Sequence, residues 1–165
     1  MGQQPSTHLR PASAATRERL RALLADYLRE LAATTGEPLP MDARGELSYP
    51  HFDAYWQEPE RHPFGIWFGS RLAGLCLLRN LGGGRWQVAE LYVVPALRRQ
   101  GVGRAAVAQA SGWCREQGAV EVAASVHPRN SAALPFWQSV GFTPQGVEAD
   151  GRARFVQRLE DVAAG

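Results

Sequence analysis

The chain has no lysine, only two cysteines and no long apolar run. Its 18 basic residues are all arginine, and the 16 acidic residues reduce the formal net charge to +2. A charge this small, without a block of like charges, argues against a nucleic-acid partner. The absence of lysine also excludes a phosphate loop of the P-loop type, which requires Gly-Lys-Ser/Thr.

The two cysteines lie far apart, Cys76 in LAGLCLL and Cys114 in SGWCREQ. This spacing fits neither a disulfide framework nor a metal site, so we expect no bound metal and a reducing, cytoplasmic location. The sequence MGQQPSTHLRPAS lacks the apolar core of a signal peptide, and no apolar run approaches the ~20 residues that span a bilayer. A soluble protein without a membrane partner is therefore expected.

Length and composition predict one globular domain. A chain of 165 residues, 45% hydrophobic and 21% charged, has the ordinary balance of a soluble protein. We expect flexible tails at residues 1–5 and 161–165, with a single domain over residues 6–160.

The pattern of apolar and turn residues predicts an α/β fold. Apolar residues at helical spacing between Leu20 and Leu31 predict an amphipathic helix that ends at Gly36. Turns are predicted at Gly69-Ser70, at residues 82–84 and near residues 149–151. The resulting order is roughly β-α-α-β-β-β-α-β-α-β-β. It describes a mixed, mostly antiparallel central sheet flanked by helices, with one parallel β-α-β crossover.

The sequence LYVVPALRRQGVGRAAVAQA, residues 91–110, joins a buried strand to an alanine-rich helix and contains both glycines and arginines. Backbone N–H groups at a helix N-terminus favour phosphate, and glycine lets oxygen atoms approach the backbone closely. Arg98, Arg99 and Arg104 would add charged donors. The residues alone leave a phosphate site and an ordinary tight turn equally open.

A dinucleotide site is a weaker explanation of the same joint. Ala106 stands where the third glycine of that fingerprint is expected, and Glu121 lies near the expected acidic position but early in its strand. A nucleotide-binding regulator therefore stays an alternative.

Two motifs resemble those of the GNAT N-acetyltransferase superfamily. The first, Arg98-x-x-Gly101-x-Gly103, follows ELYVVP and is similar to the loop that binds the pyrophosphate of acyl-CoA. The second comes one strand later, where the family places another cofactor-contacting helix: Asn130-x-x-Ala133-x-x-Phe136-Trp137-x-x-x-Gly141-Phe142. The resemblance covers about residues 8–159, and the predicted order of elements matches the family fold. Residues 53–64, DAYWQEPERHPF, are similar to one branch of bacterial members.

The resemblance implies acetyl-CoA as co-substrate. Backbone N–H groups of the loop would bind its pyrophosphate, and the strand that ends near Val93 would pair with the pantetheine arm. Asn130 would donate a hydrogen bond to that arm, and Phe136 would pack near it. The implied cofactor-binding residues are Val93, Arg98, Arg99, Gly101, Val102, Gly103, Arg104, Asn130, Phe136 and Trp137.

The resemblance also implies direct attack of an amine on the thioester, which requires a proton acceptor. Glu90 matches the position of the family's carboxylate base, and His127 is the second candidate. Many members have a tyrosine at the position of Trp137, and that tyrosine protonates the departing thiolate. An indole N–H does not titrate, so the source of that proton stays open.

The acceptor pocket would come from the first two helices, with Tyr27, Tyr55 and Trp56 as substrate-binding residues. The expected function is acetyl-CoA-dependent acetylation of a primary amine on a small molecule or peptide. The missing tyrosine keeps a second hypothesis open, a catalytically silent acyl-CoA-binding sensor or partner domain. The oligomeric state is also open, a homodimer included.

Overall fold

The computed structural model describes residues 4–159. The predicted tail at 161–165 lies outside this range, as do residues 1–3 of the predicted tail at 1–5. The elements are β1 (Thr7–Pro11), α1 (Arg17–Thr35), α2 (Ala54–Gln57), β2 (Arg61–Phe68), β3 (Arg71–Gly82), β4 (Arg85–Val93), a 3-10 turn (Pro95–Leu97), α3 (Val102–Glu116), β5 (Glu121–Val126), α4 (Ala133–Ser139), β6 (Thr143–Val147) and β7 (Ala153–Arg158). The predicted order of helices and strands is confirmed.

The strands form one seven-stranded sheet in the order β1-β2-β3-β4-β5-β7-β6. Neighbouring strands are antiparallel except β4 and β5, which are parallel and are connected through α3. A parallel pair needs such a crossover, because a short turn can join only antiparallel strands. The mixed, mostly antiparallel sheet with one crossover is therefore confirmed.

The two parallel strands separate soon after they begin. Residues 85–87 of β4 pair with residues 121–123 of β5, and no further pairs follow. The register between β3 and β4 shifts at this point, since Leu77 faces Glu90 whereas Leu78 faces Val88. Ala89 is thus one extra residue on β4, a β-bulge, and a bulge bends the strand that carries it. A wedge opens between the carboxyl ends of β4 and β5.

A close backbone approach holds the far end of β4 against β3. A Cβ atom on Gly74 would lie 1.9 Å from the carbonyl oxygen of Tyr92, well inside any normal contact. Glycine is therefore required here for β3 and β4 to stay paired while β4 turns away from β5.

Apolar residues form two clusters, one on each face of the sheet. The larger contains the buried face of α3, and the smaller lies under α1 and α2 and includes Leu20, Leu24 and Phe52. Cys76 and Cys114 are buried, and burial raises the pKa of both thiols. Within residues 4–159 no helix is both long and apolar enough to cross a bilayer.

Candidate active site

The wedge between β4 and β5 is the mouth of a cavity of about 870 Å³. Residues of α1 line one side, and the N-terminal turn of α3 with its preceding loop lines another. The cavity also reaches α4 and the segment before it. Because β4 and β5 diverge, the loop at 98–104 and the end of β4 line the same cavity.

The loop before α3 presents free backbone donors to this cavity. Gly101 is left-handed (φ 80°) and caps α3, whose first backbone bond runs from the Ala105 N–H to the Gly101 carbonyl at 3.0 Å. The N–H groups of Val102, Gly103 and Arg104 therefore have no carbonyl partner in the helix. Arg99 is also left-handed (φ 62°). Alternation of left-handed residues turns successive N–H groups toward one point, which suits an anionic group.

Gly103 has a packing role in addition to the expected one, which is to let oxygen atoms approach the backbone closely. A Cβ atom on Gly103 would lie 3.3 Å from Cε2 of Phe136, tighter than an ordinary contact. The glycine therefore lets α4 pack closely on the start of α3. Gly101, in contrast, faces open space and is needed for its backbone conformation.

The three arginines of the loop have different surroundings. The Arg98 guanidinium donates from Nε to the carbonyl of Val93 at 2.8 Å and forms an ion pair with Glu30 of α1, also at 2.8 Å. Arg104 donates to the carbonyl of Ser139 at 3.2 Å. The side chain of Arg99 makes no hydrogen bond or ion pair with any group in residues 4–159, so its charge is the one most available to an anion.

The end of β4 offers an unpaired strand edge to the cavity. The Val94 N–H donates to the carbonyl of Ala73 at 2.8 Å, so Val94 faces β3. Because backbone groups alternate along a strand, those of Val93 face the gap toward β5. The Val93 carbonyl accepts from Arg98, which leaves the Val93 N–H directed at the gap. An extended molecule with amide groups could add to this edge as a strand does.

The segment around α4 supplies the opposite wall. Asn130, Phe136 and Trp137 all line the cavity. Trp137 is buried, and its ring packs edge-to-face with Phe136 at 5.2 Å and with Phe142 at 5.0 Å between ring centroids. This packing fixes the indole as part of the wall.

Glu90 places a carboxylate in the same cavity. Burial raises its pKa to about 7, and hydrogen bonds from Tyr27 and Tyr49 and the charge of Arg152 oppose part of that rise. The Tyr49 hydroxyl donates to Oε1 of Glu90 at 3.3 Å. A carboxylate with a pKa near neutral pH is well matched to accept and return a proton.

His127 is held outside the cavity wall by its own hydrogen bonds. Its Nδ1 accepts from the backbone N–H of Arg129 at 3.0 Å, so Nε2 carries the proton and donates to Glu37 at 2.9 Å. Of the two candidate bases, only Glu90 is among the described residues that line the cavity.

The three predicted acceptor residues are separated in the structure. Tyr27 lines the cavity and packs against Tyr92, with ring centroids 5.6 Å apart. Tyr55 and Trp56 instead belong to the smaller apolar cluster, away from the cavity wall. Tyr27 therefore lines the same cavity as Glu90, whereas Tyr55 and Trp56 are not among the described residues that line it.

Residues 20–142 match the family described as the Acetyltransferase (GNAT) family. The chain belongs to this family. It is therefore an acyltransferase, and the predicted membership of the GNAT superfamily is confirmed. Within residues 4–159 no group of three or more histidine, cysteine, aspartate or glutamate side chains is arranged to hold a metal ion.

Similar proteins support the family and the fold. The chain is 46% identical over 52 residues to the type 1 aminoglycoside N(6')-acetyltransferase of Klebsiella aerogenes, a match that spans 32% of this chain and about a third (34%) of that relative. An acetyltransferase from Thermus thermophilus has the same fold, with a TM-score of 0.74 and 17% identity over 93% of this chain and 97% of that one. The PaiA N-acetyltransferase of Thermoplasma acidophilum, solved with coenzyme A, also has this fold, with a TM-score of 0.68 and 17% identity over 93% of this chain and 99% of that one.

Two features of the site of this GNAT acyltransferase were not predicted from the sequence: Glu30 as a residue that lines the cavity, and the contact of Tyr49 with Glu90. Glu30 lies one helical turn after Tyr27 on α1, so the helical period could have identified it as a neighbour on the same face. Tyr49 lies 41 residues before Glu90 in a loop, and no local pattern connects the two. Only the fold brings that hydroxyl to the carboxylate.

Proposed function

We propose that this GNAT acyltransferase uses acetyl-CoA as co-substrate and transfers the acetyl group directly to a primary amine of a small molecule or peptide, in the cytoplasm. One observation carries the proposal. The phosphate-type loop, the open edge of β4 and the Glu90 carboxylate all line a single cavity of about 870 Å³. A cavity with one anion-binding end and a base near neutral pKa suits transfer from a phosphorylated carrier to an amine.

The carrier would bind along the loop and the strand edge. The N–H groups of Gly101, Val102, Gly103 and Arg104 would hold the pyrophosphate, and Arg99 would add charge. The Val93 N–H would bind an amide of the extended arm as a neighbouring strand would. On the other wall, the side chains of Asn130, Phe136 and Trp137 would enclose the same arm.

Glu90 would act as the general base. Acetyl-CoA supplies an activated acetyl thioester. The amine nitrogen forms the new bond to the carbonyl carbon as the bond to sulfur breaks, and the proton of the amine passes to Glu90 directly or through a water molecule. Trp137 is a wall residue in this scheme, because its indole N–H cannot supply a proton to the departing thiolate.

Tyr27 would contribute to the acceptor side, since it lies in the cavity beside Glu90. The Klebsiella aerogenes relative is named for acetylation of an aminoglycoside amine. Aminoglycosides therefore belong in a panel of candidate acceptors, together with other small amines and peptides that have a free N-terminus.

The test combines ligand binding with turnover. Thermal shift with acetyl-CoA, CoA, ATP and NAD should show stabilisation by the first two compounds only. An acetyl-transfer assay over the amine panel should then give turnover that Glu90→Gln removes. Binding of CoA without turnover on any amine would overturn the proposed reaction, and stabilisation by ATP or NAD but not CoA would overturn the proposed co-substrate.

A further inference from the structure

The Glu90 carboxylate is contacted by a hydroxyl from a distant segment of the chain. Tyr49 lies between α1 and α2, and its hydroxyl donates to Oε1 of Glu90 at 3.3 Å. A hydrogen bond donated to a carboxylate oxygen both restrains its orientation and favours its ionised form. The hydrogen bond from Tyr49 therefore acts on the Glu90 carboxylate, the group that would accept the amine proton.

The loop that carries Tyr49 is ordered by its own hydrogen bonds. Asp42 accepts two backbone N–H groups through Oδ1, from Arg44 at 2.8 Å and from Glu46 at 3.0 Å. The Ser48 N–H donates to the carbonyl of Pro40 at 2.8 Å, directly before Tyr49. The Tyr49 carbonyl then accepts the N–H of Phe52 at 3.0 Å. These hydrogen bonds order the backbone of the loop and thereby position the phenol of Tyr49.

The β-bulge on β4 determines where Glu90 meets this loop. Ala89 is the extra residue, and it resets the register so that Glu90 lies opposite Leu77. Tyr49 packs at the border of the smaller apolar cluster, to which Leu77 also belongs. The hydroxyl of Tyr49 thus reaches from an apolar border to the carboxylate in the cavity.

Groups from four parts of the chain face or influence Glu90. Tyr27 extends from α1, Tyr49 from the loop, Tyr55 from α2 and Arg152 from the turn between β6 and β7. Arg152 is the cation among them, and it also forms an ion pair with Asp150. Each phenol is neutral near pH 7, because the ordinary pKa of tyrosine is about 10 and burial raises the pKa of Tyr27, Tyr49 and Tyr55 further. The phenols can therefore act on Glu90 only as dipoles and donors.

We infer that Tyr49 is a positioning residue, which orients the Glu90 carboxylate through Oε1 and stabilises its ionised form so that it can accept the amine proton. The inference rests on the proposed function for its catalytic consequence. Tyr49 itself does not need to touch the amine or the thioester.

The effects that set the pKa of Glu90 indicate that the role of Tyr49 can be measured. Burial raises the pKa of Glu90 to about 7, while the hydrogen bond from Tyr49 is one of the few effects that lower it. Removal of that hydroxyl should therefore raise the pKa of Glu90 further. Loss of one hydrogen bond to a charged group corresponds to a shift of about one pH unit.

The experiment measures the pKa of Glu90 directly and through activity. Tyr49→Phe keeps the ring and removes only the donor. We expect NMR titration of the Glu90 side-chain carboxyl carbon, assigned with Glu90→Gln, to show an increase of about one unit in its pKa. The acidic limb of the kcat/KM profile should move by the same amount, with the plateau at high pH retained within about twofold.

Two further variants isolate the effect. Tyr92→Phe removes a hydroxyl that lies beside Arg98 and should leave the pKa of Glu90 unchanged. Tyr49→Phe added to Glu90→Gln should cause no further shift of the pH profile, because the group that Tyr49 acts on is already absent.

An unchanged NMR pKa of Glu90 in Tyr49→Phe would overturn the inference, as would a rate loss that is equal at every pH. A shifted pKa together with the absence of turnover on any amine, in wild type as well, would support the contact between Tyr49 and Glu90 and overturn the proposed function instead. The two failures are therefore distinguishable.

Discussion

The cavity has two sides that are built in different ways. The side proposed to bind phosphate, here the phosphate side, is the loop at 98–104 with α4, and it presents backbone N–H groups at a helix end and a strand edge. The side proposed to bind the acceptor, here the acceptor side, is α1 with the loop before α2 and Glu90, and it presents side chains from three distant parts of the chain. Its key contact, from Tyr49 to Glu90, joins residues 41 positions apart. One side depends on local conformation and the other on tertiary packing.

Because the two sides of the cavity are built differently, we expect them to respond differently to amino-acid substitution. Backbone donors at a helix end survive most side-chain substitutions, provided that the glycines keep their conformation. A buried carboxylate with a pKa near 7 depends on each group that surrounds it. Changes on the phosphate side should therefore alter carrier binding, and changes on the acceptor side should alter rate and pH dependence.

The largest effect should come from Glu90→Gln. Loss of the base should lower kcat by about 10²- to 10⁴-fold while CoA binds as before. In the wild type, kcat/KM should fall as the pH drops through about 7, because Glu90 then takes up a proton and cannot accept another. The variant should lose that dependence. A Glu90→Gln rate within about threefold of wild type would assign the base to another group.

Gly74→Ala should damage both sides together, because it disturbs the strand they share. The new Cβ would lie 1.9 Å from the Tyr92 carbonyl oxygen, so the backbone of β3 or β4 must move. We expect a loss of about 3 kcal/mol in the free energy of unfolding, measured by urea titration. Gly65→Ala in β2 is the matched control, since its Cβ would meet only side-chain atoms at 3.1 Å. Equal losses in the two variants would contradict the proposed role of the close approach.

Gly101→Ala should separate carrier binding from stability. Gly101 and Gly118 flank α3, both have positive φ (80° and 91°), and both face open space. Alanine should cost about 1–2 kcal/mol of stability at either position. Only Gly101→Ala should also raise the KM for acetyl-CoA, by about tenfold, because it disturbs the N–H groups of the loop. A similar change in KM for Gly118→Ala would show that general destabilisation accounts for it.

The same contrast explains what the sequence could predict. Gly101, Gly103 and Asn130 follow local motifs, since the start of a helix after a strand is encoded within a few residues. The order of elements was predictable for the same reason, because turn residues and apolar periods are local. The fold could therefore be predicted in advance, and so could the position of the loop that is proposed to bind phosphate.

The acceptor side was less predictable because aromatic residues look alike in sequence. Tyr55 and Trp56 were expected in the pocket, yet α2 turns them into the apolar cluster. Tyr49 contacts Glu90, the proposed base, because the bulge at Ala89 sets the register that turns Glu90 toward the loop of Tyr49. Neither outcome follows from the residue types without the tertiary structure.

The smallest effect should come from Glu30→Gln, where the two sides meet. Glu30 of α1 pairs with Arg98 of the loop, and both side chains are substantially exposed (44% and 39%). An exposed pair contributes less than about 1 kcal/mol, so the melting temperature should change little.

Without the carboxylate, however, the loop gains net positive charge. We expect acetyl-CoA to bind about two- to fivefold more tightly at low salt, with the gain lost at high salt. Glu18→Gln is the matched control, since Glu18 pairs with Arg21 on the same helix. Isothermal titration calorimetry at two salt concentrations measures the affinity of both variants for acetyl-CoA. If Glu18→Gln tightens binding equally, the effect belongs to overall charge, whereas weaker binding in Glu30→Gln would show that Glu30 serves mainly to hold Arg98 in place.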